Sequence, residues 1–313
     1  MTRTATTVWL DGKLLDGDQL HVHALTHALH YGSSVFEGIR VYPTPQGPAI
    51  FRLREHVDRL IAGAAAYGME LAWDADALAQ AIVGTVRASG RDACYARPLA
   101  FFGGETVRLD PGRECPVHVM IAVLPFDGIM PGNDVPQFRA TVSPFMKTPS
   151  RALPSTVKAG GHYTNSIRAL ADAHARGFDE ALLRNDRGDV AEGSGENVFI
   201  VRDGVLITND ADADILPGIT RASTLALARE AGITTRVRPL TTDDLARCEE
   251  AFFTGTAAEL VPIVRIDDRD LGAEGPLTQR LRTTYTDVVR GRRPAPGPGW
   301  LTVVSPGRAA QVS

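Results

Sequence analysis

Lysine is nearly missing from this chain. Only Lys13, Lys147 and Lys158 occur among 313 residues, and the other 30 basic residues are arginines. Wherever arginine suffices, arginine stands, so each remaining lysine raises the question of what an amine alone supplies. The chemical answer is attack on a carbonyl, because guanidinium stays protonated while an ammonium can be tuned to lose its proton. A GC-rich coding bias strips out lysine too, so scarcity alone does not decide. Cysteine is also sparse: Cys94, Cys115 and Cys248 are odd in number, far apart and without CxxC or Cys/His ligand spacing. That excludes a disulfide framework and a zinc finger, and predicts reduced thiols in a cytoplasmic protein. The longest apolar run, Val117 to Phe126, is broken by His118 and is too short to span a bilayer. Met1 to Trp9 lacks the apolar core of a signal peptide. Net charge is −4, and the one basic cluster, Arg290 to Arg293, reads as a solvated tail. Neither a nucleic-acid footprint nor membrane attachment is expected.

What is present is 44% hydrophobic content over a length that suits two domains. Val8 to Leu14 reads as a short hairpin and Ala49 to Arg52 as a strand. Val57, Leu60, Ile61, Ala64 and Tyr67 then repeat at amphipathic-helix spacing, as do Leu78, Ala81, Ile82 and Val86 before Gly90. Ala93 to Phe102 and Val117 to Leu124 are β-prone, and the turn-forming stretch Pro125 to Pro136 is the linker candidate. A strand near Phe138 to Val142 precedes a helix from about Asn165 to Arg176. Asp203-Gly204 between two apolar runs is a two-residue hairpin signal. Pro217-Gly218 opens a helix from Ile219 to Ala231 that stops at Gly232. Strands near Thr234 to Val237 and Ala251 to Thr254, and a helix over Leu277 to Val289, complete the pattern. The expected organisation is a small α/β domain over 1–127, a linker at 128–134 and a larger α+β domain over 135–313.

Several short segments carry chemistry. Lys158 is followed by Ala159-Gly160-Gly161, where glycines allow a tight turn or the approach of a flat ligand. Leu216-Pro217-Gly218-Ile219-Thr220-Arg221 starts a helix whose first N–H groups and positive dipole end suit a phosphate. The same residues also suit an ordinary proline-started helix. Gly255-Thr256-Ala257-Ala258 is a second small-residue turn with a hydroxyl, or simply a strand end. Arg59 supplies either a fork-shaped phosphate contact or a solvated arginine. Glu192, in Val190 to Asn197 with Gly193 and Gly195 beside it, either approaches a bound ring or faces water as a turn glutamate. Tyr95 and Arg97 lie two apart on a strand and so share a face. An amine, two phosphate cradles, a ring-facing carboxylate and an arginine for a substrate acid together match the needs of pyridoxal phosphate.

Longer signatures make the match specific. His27-Ala28-Leu29-His30-Tyr31-Gly32-Ser33-Ser34-Val35-Phe36-Glu37-Gly38-Ile39-Arg40 resembles the signature of the branched-chain amino acid aminotransferases. So do Arg54-Glu55-His56 with Arg59, Tyr95-Ala96-Arg97-Pro98, Lys158 to Gly161, Glu192 to Asn197, Leu216 to Arg221, Gly255 to Glu259 and Gly299-Trp300-Leu301. The resemblance covers nearly the whole chain in order. It implies a fold-type-IV pyridoxal-phosphate enzyme, a mixed α/β protein with a small and a large domain and the cofactor between them. It also implies roles. Lys158 forms the Schiff base to pyridoxal 5′-phosphate, Glu192 pairs with the pyridine nitrogen and Tyr163 bonds the phenolic oxygen. Arg59, Ile219, Thr220 and Thr256 form the phosphate cup, with Gly195, Leu216, Gly218 and Gly255 around the ring. Phe36 and Tyr163 wall the substrate pocket, with Gly38 and a supporting Arg40. Arg97 and the Tyr31 hydroxyl take the glutamate side-chain carboxylate, and Tyr95 with the Thr256-Ala257-Ala258 turn takes the α-carboxylate.

The expected reaction is ping-pong transamination of leucine, isoleucine or valine with glutamate and 2-oxoglutarate. The expected partners are amino acids, 2-oxo acids and a second copy of the chain. One departure stands out. Thr106-Val107-Arg108-Leu109 replaces the small Met-Gly-Val-like loop of common bacterial members. If Arg108 points inward it favours an acidic substrate; most arginines are exposed. The competing readings are a D-amino acid or (R)-amine transaminase, an aminodeoxychorismate-lyase-like enzyme, and a cofactor carrier without activity. The paired Tyr95 and Arg97 with the intact Tyr31-to-Arg40 stretch speak against the first; chain length and the signature near Tyr31 speak against the second. Retention of Lys158 speaks against the third.

Overall fold

The computed structural model describes residues 6–104, 106–112, 115–126 and 135–305. The chain divides into two compact units, Met1–Asp127 with Val289–Ser313, and Gly128–Val288. The linker expected at 128–134 lies outside the described residues.

In the first unit, β1 (Thr7–Leu10) and β2 (Lys13–Asp16) form the expected hairpin. A short helix α1 (His27–Tyr31), then β3 (Ser34–Phe36), β4 (Ile39–Thr44) and β5 (Gly47–Phe51), precede α2 (Leu53–Ala66) and α3 (Ala75–Ser89). Two long strands follow, β6 (Cys94–Phe102) and β7 (Val117–Pro125). All pairings are antiparallel, in the order β5-β4-β6-β7-β1-β2 with β3 also on β6. Helix α2 buries Leu53, Val57, Leu60 and Ala64, the apolar stripe read from the sequence. Each large member contributes about 1.5–3 kcal/mol by leaving water. Helix α3 starts where Asp74 accepts from the Ala77 N–H (2.8 Å) and ends at Gly90 in the left-handed region.

The sheet's outer strand is Leu301–Val303, which pairs with β5. This corrects the expected assignment of 135–313 to one domain. Strand pairing with Phe51 and packing of Trp300 edge-on against that ring draw the C-terminal stretch into the first unit.

The second unit holds a mixed sheet. In chain order its elements are β8 (Phe138–Met146), α4 (Tyr163–Ala175), β9 (Glu180–Arg184), β10 (Asn197–Arg202), β11 (Val205–Thr208), α5 (Ile219–Glu230) and β12 (Thr235–Val237). Then come α6 (Thr242–Arg247), β13 (Glu250–Gly255), β14 (Glu259–Ile266), β15 (Arg269–Asp270) and α7 (Pro276–Val289). The order is β12-β11-β10-β13-β14-β8-β9, with β15 on β14. The β10–β11 hairpin turns at Asp203 and Gly204, both at positive φ, the geometry a two-residue turn demands. Strands β10 and β13 are buried on both faces, so one side carries Val198, Ile200 and Phe253 in the core while Phe199 and Phe252 stack at 5.0 Å on the other. Among the described residues no helix is long and apolar enough to cross a membrane, and no group of three or more His, Cys, Asp or Glu is placed to hold a metal.

Candidate active site

In the second unit the chain passes a turn closed by the Val157 N–H on the Pro154 carbonyl (3.0 Å), reaches Lys158, makes a single 3-10 turn over Gly160–His162 and enters α4 at Tyr163. The turn folds the two side chains together, and Lys158 Nζ donates to Tyr163 Oη at 2.6 Å. Glu192 does not face water; it is buried. Its Oε2 accepts from Asn197 Nδ2 and from the Leu216 N–H, both at 3.0 Å. Its Oε1 lies 2.5 Å from Lys147 Nζ. Asn197 Nδ2 also donates to the Leu216 carbonyl, which ties the Glu192 loop to the start of α5.

That helix begins at Gly218, which has no side chain to cap it, and buries Ile219 and Thr220 in its first turn. A Cβ at Gly218 would sit 2.0 Å from Asn197 Oδ1, so only glycine fits. Gly255 opens the turn carrying Thr256, Ala257 and Ala258 to β14, and a Cβ there would be 3.2 Å from Glu196 Cγ. Next to it Thr254 Oγ1 is buried without a hydrogen-bond partner among the described residues. Gly195 is exposed and has open space where a Cβ would point.

Charge is arranged unevenly here. Burial, and then the charge of Glu180, push the Glu196 carboxyl up to about 8, so it favours its neutral form. Glu180 itself accepts from the Ala181 and Ser194 N–H groups and from Ser194 Oγ. Burial opposes the Lys147 ammonium, yet Glu192, Tyr163 and Asp214 outweigh it and raise its pKa. Burial and the Lys147 charge lower that of His162.

The first unit gathers a second group. Gly38 lies against Tyr95, where a Cβ would meet the phenol oxygen at 1.6 Å. The Arg97 guanidinium lies 4.6 Å from the Phe36 ring centroid and 5.3 Å from that of Tyr95, and its Nε is buried without a partner among the described residues. Tyr95 and Arg97 therefore share one face of β6, as the two-residue spacing predicts. Arg40 is buried between the Tyr42 and Phe126 rings, at 4.7 and 4.6 Å. Arg59 is clamped by Glu37, through Nε to Oε1 at 2.5 Å and Nη2 to Oε2 at 2.9 Å, with His56 Nδ1 2.7 Å from Oε2. Burial alone would raise the Glu37 pKa, but these two partners hold it well below the usual carboxylate range.

Tyr31, Arg108 and Leu109 form a third group. The Tyr31 hydroxyl, expected to meet a substrate carboxylate, donates to the Val107 carbonyl at 2.6 Å. His27 Nε2 lies 3.1 and 3.2 Å from the Arg108 and Leu109 carbonyls, and the Arg108 side chain is exposed.

The second unit passes a test of fit for pyridoxal phosphate. A carboxylate offers about four acceptor positions, and Glu192 has three in use, leaving one on Oε1 for a ring N–H. An amine beside a hydroxyl and an uncapped helix start supply the other contacts such a cofactor needs. The sequence model of the amino-transferase class IV family matches residues 34–266, and the chain belongs to that family and is a pyridoxal-phosphate-dependent aminotransferase. It is 40% identical over 300 residues to the branched-chain-amino-acid aminotransferase of Pseudomonas aeruginosa, covering 95% of this chain and 97% of that one. The branched-chain aminotransferase of Thermoproteus uzoniensis, solved with norvaline, superposes with a TM-score of 0.91 at 41% identity, covering 96% of this chain and 100% of that one. The branched-chain amino acid aminotransferase of Thermobaculum terrenum, solved in its pyridoxal-phosphate form, gives 0.89 at 33% identity, covering 96% and 98%.

Sequence reasoning missed Lys147, although the lysine scarcity that singles out Lys158 applies to it equally. It also missed Glu37, whose signal is the pair His56 and Arg59 at i, i+3 on one helix face.

Proposed function

We propose that the chain is a branched-chain L-amino acid:2-oxoglutarate aminotransferase acting on leucine, isoleucine and valine in the cytoplasm. The observation that carries this is the Lys158–Tyr163 contact at 2.6 Å in the same unit as buried Glu192 and the uncapped start of α5. When bound, pyridoxal phosphate supplies a carbonyl carbon that accepts an amine and a conjugated ring that takes up the electron pair left by a departing Cα proton. Lys158 Nζ would take that proton from the substrate Cα and deliver it two atoms on, beyond the substrate nitrogen. Tyr163 Oη holds Lys158 Nζ in line for both transfers. Glu192 Oε1 accepts from the ring nitrogen, which keeps positive charge where electrons must flow. The N–H groups of Ile219 and Thr220, with Thr256, bind the phosphate. On the β6 face, Phe36 and Tyr95 give an apolar wall for an aliphatic side chain, and Arg97 gives a fork for a carboxylate. One face thereby serves both substrates.

The test follows the absorbance of the loaded enzyme. The wild-type protein binds the cofactor and is yellow; Lys158→Ala loses that band and at least about a thousandfold of activity. L-leucine, L-isoleucine, L-valine and L-glutamate bleach the wild-type band. Bleaching by D-alanine or (R)-1-phenylethylamine instead identifies the D-amino acid or (R)-amine activity.

The protein is also proposed to work as a homodimer. Leu29 and Leu109 are 64% and 77% exposed, beside exposed Tyr31 and Val107, on a surface pinned by the Tyr31 and His27 bonds. A second copy covers such an apolar group. Sedimentation showing a fully active monomer contradicts this.

A further inference from the structure

Two of the three lysines lie at this site, and the second is not used in the reaction described above. Lys147 follows the last residue of β8, and its N–H donates to the Arg184 carbonyl at 2.8 Å, which fixes the backbone at the ends of β8 and β9. Its side chain is mostly buried, and its Nζ reaches Glu192 Oε1 at 2.5 Å. The charged and titratable groups that interact with it are Glu192, Tyr163, Asp214 and His162. Tyr163 is in turn the partner of Lys158. The Lys147 ammonium thus holds the carboxylate meant for the ring nitrogen, and its charge also acts on the hydroxyl that holds the reacting amine.

We infer that Lys147 is a positioning residue for the cofactor ring: it fixes Glu192 so that one acceptor position on Oε1 faces the ring N–H, and it sets a permanent positive charge beside the Lys158–Tyr163 pair. This rests on the proposed pyridoxal-phosphate chemistry. The contacts of Glu192 give the first half its ground, and the interaction of Tyr163, partner of Lys158, with the same ammonium gives the second. Glu192 Oε2 is held from two sides by Asn197 and Leu216, so Lys147 alone fixes the rotation of Oε1. A fixed cation near a nitrogen that gains and loses a proton opposes protonation of that nitrogen.

The test is a pH titration of the absorbance of holoenzyme, with cofactor release after dilution as a second readout. In Lys147→Met and Lys147→Gln one neighbouring cation is gone, so the midpoint of the colour change moves up by about one pH unit. Lys147→Arg keeps the charge, and its midpoint stays within a few tenths of a unit of the wild type. Both neutral variants release the cofactor faster than Lys147→Arg. A purely structural ion pair changes melting temperature and leaves all midpoints together; that result, or a midpoint that falls, overturns the inference. If Lys147→Met does not fold, Lys147→Gln against Lys147→Arg decides the matter. Loss of cofactor from Gln but not Arg supports positioning by charge, and loss from both variants overturns it. A wild-type protein that takes up no colour, or colour that survives Lys158→Ala, defeats the underlying chemistry instead.

Discussion

Around Glu192 in the second unit three donors fill three of four acceptor positions, whereas on the β6 face of the first unit Arg97 leans on two aromatic rings with a buried Nε that meets no acceptor among the described residues. A buried polar group without a partner costs roughly 1–3 kcal/mol, so its retention points to an acceptor that arrives and leaves. The first arrangement suits a ligand bound once and kept. The second suits carboxylates exchanged at every turnover, and aromatic surface accommodates an aliphatic side chain in their place. One region is closed by its own bonds; the other keeps a buried donor open.

Two glycine substitutions separate these roles. Gly218 has ordinary extended dihedrals, so alanine there is costly only through the 2.0 Å approach to Asn197 Oδ1. Asn197 cannot swing aside without releasing Glu192 and the Leu216 carbonyl. Overpacking of this kind costs about 1–3 kcal/mol. Gly218→Ala is therefore expected to weaken pyridoxal-phosphate binding roughly 10- to 100-fold in equilibrium dialysis. Gly38→Ala collides with the Tyr95 phenol at 1.6 Å in the other region. Its expected result is a KM for amino donors raised about tenfold, with cofactor affinity changed by less than about twofold. If Gly38→Ala loses cofactor as severely as Gly218→Ala, the two regions are not functionally separate.

The same contrast governs what is legible in the sequence. Helices α2 and α3 show their 3.6-residue stripe, α5 its Pro217-Gly218 start and Gly232 stop, and Asp203-Gly204 its turn, because local physics dictates them. Strands β4, β9 and β14 escape such a reading. They are buried on nearly every residue, so they lack alternation, and Pro43 and Pro262 argue against strand where the ladder tolerates them. Pro262 sits next to the register shift between β14 and β8. Lys158 is legible through rarity and its glycines, and its neighbours through family signatures. Lys147 and Glu192 are 45 residues apart, and no local rule pairs a lysine with a distant glutamate. Pairing of Leu301 with Phe51 is equally hidden, which is why the C-terminal stretch reads as part of the wrong unit.

A smaller effect tests whether the closed region stores its order in protons as well as bonds. Glu196 is raised in the folded chain, first by burial and then by Glu180, to about 8 from an ordinary value of 4.5. The folded state then binds more protons than the unfolded chain across that interval, so stability falls as pH rises through it and levels off above about 8. Glutamine mimics the neutral carboxyl and can still donate toward Glu180, but it has no proton to lose. Cofactor-free wild-type protein should lose on the order of 1–3 kcal/mol of unfolding free energy between about pH 5 and 8, and Glu196→Gln should lose clearly less. Parallel pH profiles for the two proteins, measured by thermal unfolding, would mean that Glu180 and Glu196 carry separate charges without strain, and that the glycine loop at 193–195 owes its position to packing alone.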